Sequence, residues 1–248
     1  MILSIHVPKA AGNSFRVLLQ NEFGARMMKD YGDWAGCRVP EAMERCQSRT
    51  LAMRNRRNEL LQKYDVIHGH FAPDKYSGLF PIEDFVAFFR DPYQQVVSHY
   101  YFLQRNPQRD HPEERIFHEA KMTLHDYVSW EAFHDHQTQY LGSLSIDDLA
   151  MVGLSEEFYR SVEVFNSMFG CDLQGNSFLN VNPDTQGDAY RISPDIRKAV
   201  KKYRAADIDT YERAKEIFKR QASKALQYSA HGATSLLPLK APRPSSVS

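Results

Sequence analysis

Cysteine is scarce: only Cys37, Cys46 and Cys171 occur in 248 residues, and no two form a C-x-x-C pair. An odd, widely spaced set excludes a disulfide framework and a thiolate zinc site, and a reducing compartment, the cytoplasm, is the expected location. No apolar run reaches the roughly 18 residues that a membrane-spanning helix needs. No basic-then-apolar leader precedes the first strand pattern, which opens at Ile2, so a secretory signal is not expected. An excess of either charge is missing too, because 31 basic and 31 acidic residues cancel. That balance argues against a general nucleic-acid or anionic-membrane binder. Internal repeats are absent.

What is present is an ordinary globular composition, 42% hydrophobic and 25% charged, on a chain long enough for one large domain. The last 18 residues (231–248) end Ala-Pro-Arg-Pro-Ser-Ser-Val-Ser, a Pro/Ser-rich stretch expected to be a disordered tail after a domain of residues 1–230. At the other end, Ile2 to Val7 reads as a short buried strand. Pro8-Lys9-Ala10-Ala11-Gly12-Asn13-Ser14 reads as a tight turn, and Phe15, Leu18, Leu19 and Phe23 mark one face of a helix ending near Gly24. Strand, glycine-containing turn and helix N-terminus together make an anion site, since free N–H groups and the helix dipole both face the turn. The order is wrong for a Walker A loop, in which the Lys follows the glycines; here Lys9 comes first and Ser14 five residues later.

Farther along, residues 25–40 read as loop and Glu41–Lys63 as one polar helix carrying Arg45, Arg49, Arg54, Arg56 and Arg57. That basic set is either a solvated face or the edge of a groove for an acidic substrate. Asp65–Phe71 is a second strand, and the apolar run Asp84–Phe89 a strand buried on both faces, with Asp91 and Pro92 starting the next helix. Residues 105–120 resemble a surface loop or lid. Met122–Leu141 reads as a helix, Leu149–Gly153 as a buried strand, and Ser155 as the cap of a helix bearing Phe158, Val162, Phe165 and Phe169. Phe178–Pro183 is extended, and one long helix runs from Ser193 to about Tyr228. Strands alternating with helices mean an α/β fold, a mostly parallel, P-loop-like sheet flanked by helices, with ligands at the carboxyl ends of the strands. Lys9, His68, His70 and Arg90 all fall near such ends.

The second motif narrows the chemistry. Arg90-Asp91-Pro92-Tyr93-Gln94-Gln95-Val96-Val97-Ser98-His99-Tyr100-Tyr101-Phe102 places an Arg at a strand end and a Ser two turns into the next helix, two donors that can close on one phosphate. Two separate phosphate sites on one sheet suit a nucleotide phosphorylated at both its 5′ and 3′ positions. The segment from His6 to Phe15 resembles the 5′-phosphosulfate loop of sulfotransferases that use 3′-phosphoadenosine 5′-phosphosulfate. Arg90–Phe102 is similar to their 3′-phosphate motif, R-D-P-x-x-R-x-x-S-x-Y, with Gln95 in place of the second Arg. His68-Gly69-His70 resembles the intervening segment of the heparan sulfate and uronyl 2-O-sulfotransferases, and Val152–Glu157 a later strand–helix of that branch. The Ser193-Pro194 helix, with Asp209-x-Tyr211-Glu212, is similar to the C-terminal end of bacterial members.

The resemblance implies the sulfotransferase fold and transfer of a sulfonate group to an acceptor hydroxyl, a saccharide or glycan, leaving 3′,5′-adenosine bisphosphate and needing no metal. It implies Lys9, Ala10, Ala11, Gly12, Asn13 and Ser14 around the 5′ end, and Arg90 and Ser98 on the 3′-phosphate. Lys9 would neutralise the leaving oxygen and His70 would take the acceptor proton, with His68 orienting His70 or the acceptor. His134 and His136 are expected at the surface, and Asn180 and Asn182 precede a loop that closes over the nucleotide in the family. Two other readings stand beside this one: a kinase-like phosphotransferase with an atypical loop, and a non-catalytic nucleotide-binding protein.

Overall fold

Ile2–Ile5 (β1) is buried at every position, as a strand in the middle of a covered parallel sheet must be. In the computed structural model, which describes residues 1–106, 111–174 and 189–230, β1 lies between two strands that follow it by long crossovers. Val66–Gly69 (β3) pairs on one side, with Ser4 opposite His68 and Ile5 opposite Gly69. Phe85–Phe89 (β4) pairs on the other, with Ile5 opposite Ala87. Met27–Lys29 (β2) and Met151–Leu154 (β5) complete a five-stranded sheet in the order β2-β3-β1-β4-β5, parallel throughout. The α/β class read from strand–helix alternation is therefore the observed one.

Helices cover both faces. Gly12–Phe23 (α1), Pro40–Met53 (α2), Arg57–Lys63 (α3) and the short Asp74–Ser77 (α4) belong to the first half. Pro92–Arg105 (α5), Pro112–Glu119 (α6), Leu124–Ser129 (α7) and His136–Gln139 (α8) follow β4, and Phe158–Phe169 (α9), Pro194–Tyr203 (α10) and Ala205–Ala230 (α11) close the described chain. Phe15 of α1, Phe88 of β4 and Phe165 of α9 meet with ring centroids 4.6 and 5.1 Å apart in the main core. A second apolar cluster, containing Val96, Phe117, Tyr127, Phe133 and Val200, joins α5, α6, α7 and α10.

Several elements differ from the sequence reading for identifiable reasons. The helix expected over Glu41–Lys63 is two, because Arg54–Arg56 close a turn between α2 and α3. Residues 25–40 contain β2, too short to show a period. Met122–Leu141 is broken: a capping box between Thr123 and Asp126 starts α7, Trp130 is extended at its end, and Asp135 turns left-handed before α8. The long C-terminal helix breaks at Arg204, whose φ of −131° lies outside the helical range. The surface loop at 105–120 includes α6, and α9 follows Glu157 rather than a Ser155 cap. The segment Phe178–Pro183, with Asn180 and Asn182, and the tail 231–248 lie outside the described residues.

Gly69 ends β3 where the backbone of the β2–α2 loop crosses it, and a Cβ there would stand 1.7 Å from the Asp30 carbonyl oxygen. Neither backbone can yield without parting β2 from β3. Gly69→Ala should therefore destabilise the protein by about 3 kcal/mol or prevent folding, the upper end for overpacking; urea denaturation reads this directly, and a loss below about 1 kcal/mol would contradict the close approach.

Candidate active site

The turn after β1 is built from two strained residues. Lys9 and Ala11 both have φ of 63°, a left-handed conformation costing an L-residue about 1–2 kcal/mol. Alternating conformations of this kind aim backbone N–H groups inward, toward an anion. The amide of Ala10 is the exception, turned back on the Val7 carbonyl at 3.3 Å. Ala11 precedes α1 without offering a capping side chain, so no N-cap hydroxyl or carboxylate competes for the first N–H groups of the helix, on Gly12, Asn13 and Ser14. Gly12 is obligatory here as well, since its Cβ would lie 1.9 Å from the His6 ring.

The strand-end Arg and its helix meet this turn directly. Arg90 Nη1 donates to the Lys9 carbonyl at 3.1 Å, and Gln95 Nε2 to the Pro8 carbonyl at 3.0 Å. Gln95, where the resembling motif has Arg, thus clasps the turn. Burial lowers the Arg90 pKa without approaching neutrality, because guanidinium stays charged in proteins. Asp91 caps α5 by accepting from the Gln94 amide, and Ser98 lies buried on that helix. The Lys9 ammonium sits 4.5 Å from the centre of the Phe102 ring, also on α5. The structure therefore joins Lys9, Arg90 and the helix bearing Ser98 at the carboxyl edge of β1 and β4.

Across β1 stand three histidines. The rings of His68, His6 and His70 stack in that order, with centroids 5.1 and 4.1 Å apart. His68 lies inside β3 rather than beyond it, 1% exposed, and its Nδ1 meets Ser4 Oγ at 2.8 Å, as the β1–β3 register requires. Burial pushes its pKa down to about 3, and burial with the neighbouring imidazoles holds His6 well below the usual range. Only His70 is partly exposed. Its Nδ1 lies 2.5 Å from the His6 carbonyl oxygen, which only accepts, so Nδ1 carries the proton and neutral His70 keeps its lone pair on Nε2.

The wall beside the stack is the β2–α2 loop, which sequence reasoning left featureless. Tyr31 shares a 3.0 Å hydrogen bond with His6 Nδ1 and packs edge-on to His70 at 5.0 Å. The loop is pinned by a buried ionic cluster. Lys75 Nζ lies 2.5 Å from Asp30 and 2.8 Å from Asp33, Arg49 pairs with both carboxylates, and the Tyr76 hydroxyl donates to Asp30. Burial alone would raise the Asp30 pKa, but the Lys75 and Tyr76 hydrogen bonds outweigh it and hold the carboxyl below its ordinary value. Arg49 thus faces inward, and Arg56 pairs with Glu59, so most of the basic set is spent within the fold. No sequence signal links Asp30 or Asp33 to Lys75, more than 40 residues away.

Helix α8 reaches the same place from the far side. The Gln137 amide hydrogen-bonds both the N–H and the carbonyl of Arg90, and the Tyr140 ring stands 5.9 Å from that of His70. His136, expected at the surface, is instead 2% exposed and stacked flat on His99 at 5.1 Å, because α8 is a single buried turn rather than the end of a long exposed helix. His134 is half-buried, bonded to the Ser129 carbonyl. Burial lowers the pKa of His99 and His136 alike, and raises that of Glu113 beside His99.

No family model and no curated protein matches this chain. Among solved structures it is similar to a sulfotransferase from Alicyclobacillus acidocaldarius, 16% identical with a TM-score of 0.41, the match covering 85% of this chain and 93% of that one. The α/β architecture itself rests on the sheet described above.

The buried charges make the fold sensitive to substitution and to acid. Lys75→Met leaves two buried carboxylates against Arg49 alone and should cost about 3–5 kcal/mol, read as a lowered denaturation midpoint; an unchanged midpoint would remove the cluster as the anchor of the loop. Acid should also destabilise the fold. His6, His68, His99 and His136 all have lowered folded pKa values, so below about pH 6.5 the unfolded chain binds protons that the folded chain refuses, and stability falls with pH at up to about 1.4 kcal/mol per unit per histidine. Glu113, Asp84 and Asp207, whose pKa values burial raises, oppose this with at most one proton each. A denaturant midpoint that stays flat from pH 7 to 5 would contradict the neutral stack.

Proposed function

We propose that this chain is a sulfotransferase that moves a sulfonate group from 3′-phosphoadenosine 5′-phosphosulfate to a hydroxyl of a saccharide acceptor. The observation that carries the reading is the convergence at one sheet edge of an uncapped helix N-terminus with Lys9, the Arg90–Ser98 unit, and a histidine whose lone pair is fixed on Nε2. In this assignment the amides of residues 11–14 and the Ser14 hydroxyl hold the 5′ phosphosulfate, while Arg90 and Ser98 take the 3′-phosphate. Arg90 presents guanidinium N–H groups and Ser98 a hydroxyl, a donor set fitted to phosphate oxygens.

The step is an in-line displacement at sulfur. The acceptor O–H gives its proton to His70 Nε2, the acceptor oxygen forms the new S–O bond, and the bond from sulfur to the 5′-phosphate oxygen breaks. Both electrons of that bond stay with the departing phosphate, where Lys9 meets the developing charge. Positioning supplies most of the acceleration, because the donor already carries a good leaving group. His70 becomes an imidazolium stacked on neutral His6, which adds no second positive charge against it. His68, inside the sheet and bonded to Ser4, supports His6 from behind rather than meeting the acceptor.

The donor is tested by thermal shift with 3′,5′-adenosine bisphosphate against ATP plus magnesium. Stabilisation by the bisphosphate is expected; stabilisation by ATP alone would overturn the assignment in favour of phosphoryl transfer. His70→Ala should keep bisphosphate affinity within about twofold and lower the transfer rate by about 10²–10⁴, the usual contribution of a general base. Full retained transfer would remove His70 from that role.

A further inference from the structure

Beyond the reacting groups, the β2–α2 loop carries one strained residue at the edge of the second apolar cluster. Trp34 has φ of 57°, a conformation that is an outlier for a bulky side chain. It is held there rather than relaxed. Asp30 and Asp33 before it are fixed on Lys75, and Ala35 after it is buried. Gly36 passes so close to Tyr140 that a Cβ would stand 2.0 Å from the ring.

The indole is half-exposed, with the Arg45 guanidinium 4.3 Å from its ring centre and His111 edge-on at 5.5 Å. It borders a shallow depression of about 470 Å³ shared with Glu41, Glu44, Arg45, Ser48 and Arg49. Trp34 lies three positions after Tyr31, so their Cα atoms are at most about 11 Å apart, and Tyr31 touches His70.

We propose that this shelf is a subsite for saccharide units of the acceptor on either side of the one that meets His70. The inference rests on the acceptor half of the proposed reaction. An aromatic body offers the apolar surface on which a sugar ring's C–H face packs, and planar forked side chains around it suit paired hydroxyls. Charge selects among saccharides. Arg49 is neutralised by Asp30 and Asp33 and Glu41 by Arg115, leaving Arg45 and Glu44 in balance. The shelf therefore takes uncharged saccharide units, not a polyanionic chain. Holding the loop in a strained shape before the acceptor arrives lowers the ordering cost of binding.

Trp34 and Trp130 are the only tryptophans in the chain, so Trp130→Phe leaves Trp34 as the sole indole emitter. Titration of that variant with maltotetraose, cellotetraose and N-acetylated chitotetraose should give a saturable emission change with at least one of them, and dextran sulfate should give none. By calorimetry, Trp34→Ala should weaken that tetrasaccharide by at least about tenfold, equivalent to about 1.4 kcal/mol, and leave bisphosphate affinity unchanged. No binding by any neutral tetrasaccharide, an unaffected Trp34→Ala, or a preference for dextran sulfate would each overturn the shelf. Should Trp130→Phe not fold, calorimetry on the unsubstituted chain and Trp34→Ala decides between the same outcomes. Failure of bisphosphate binding sinks the donor assignment alone, since the sugar titrations contain no nucleotide.

Discussion

One buried ammonium organises the β2–α2 wall beside the histidine stack. Lys75, held between Asp30 and Asp33, converts an irregular stretch with a three-residue strand at its root into a wall of fixed shape. Two carboxylates brought together in a dry interior repel each other and resist ionisation; a cation between them reverses both effects. From that point the loop runs outward in order. Tyr31 goes to the histidine stack, Trp34 to the surface, and Gly36 to Tyr140, whose ring returns to His70. An apolar core cannot supply this directionality, because hydrophobic burial does not prescribe the angle at which a loop leaves a strand.

The opposite side is held by reciprocal capping. Asp135 accepts from the amides of Ala206 and Asp207 at the start of α11, and Asp207 accepts from the amide and hydroxyl of Thr138 on α8. Each helix satisfies orphan donors of the other, so a four-residue helix too short to stand alone becomes a fixed part. It then delivers Gln137 to both backbone groups of Arg90, mimicking the strand neighbour that the end of β4 would otherwise lack. Residues far apart in sequence thereby set the conformation from which the Arg90 side chain departs.

The strands most visible in the sequence were those buried on both faces. Ile2–Val7 read as a short buried strand and Asp84–Phe89 as an apolar run buried on both faces, and the turn after β1 and the Asp91–Pro92 helix start carried local signals of type and position. Those signals also singled out Lys9 and Arg90, whereas His70 stood out by its place after a strand and by the resemblance of His68-Gly69-His70. What escaped was encoded nonlocally. β2 spans three residues, fewer than any period needs. Asp30, Asp33 and Lys75 look like solvated charges until the chain brings them together. His136 was placed at the surface by treating Met122–Leu141 as one helix, whereas the capping box at Thr123 and the left-handed Asp135 divide it. Gln95 and Gln137, both polar and unremarkable by type, matter only through the carbonyls and amides they find.

The clasp between the two motifs carries a consequence for selectivity. Because Arg90 and Gln95 hold the Lys9 and Pro8 carbonyls, the turn after β1 and the start of α5 move as one piece, and the span between them is set before any ligand arrives. Under the proposed reading this makes the pair a gauge. A molecule with anionic groups at matching separation engages both jaws without bending the protein, while one with its charges strung along a single tail fills one jaw and leaves the other unmet. Discrimination between nucleotides would then come from length, measured by the backbone, rather than from recognition of the base.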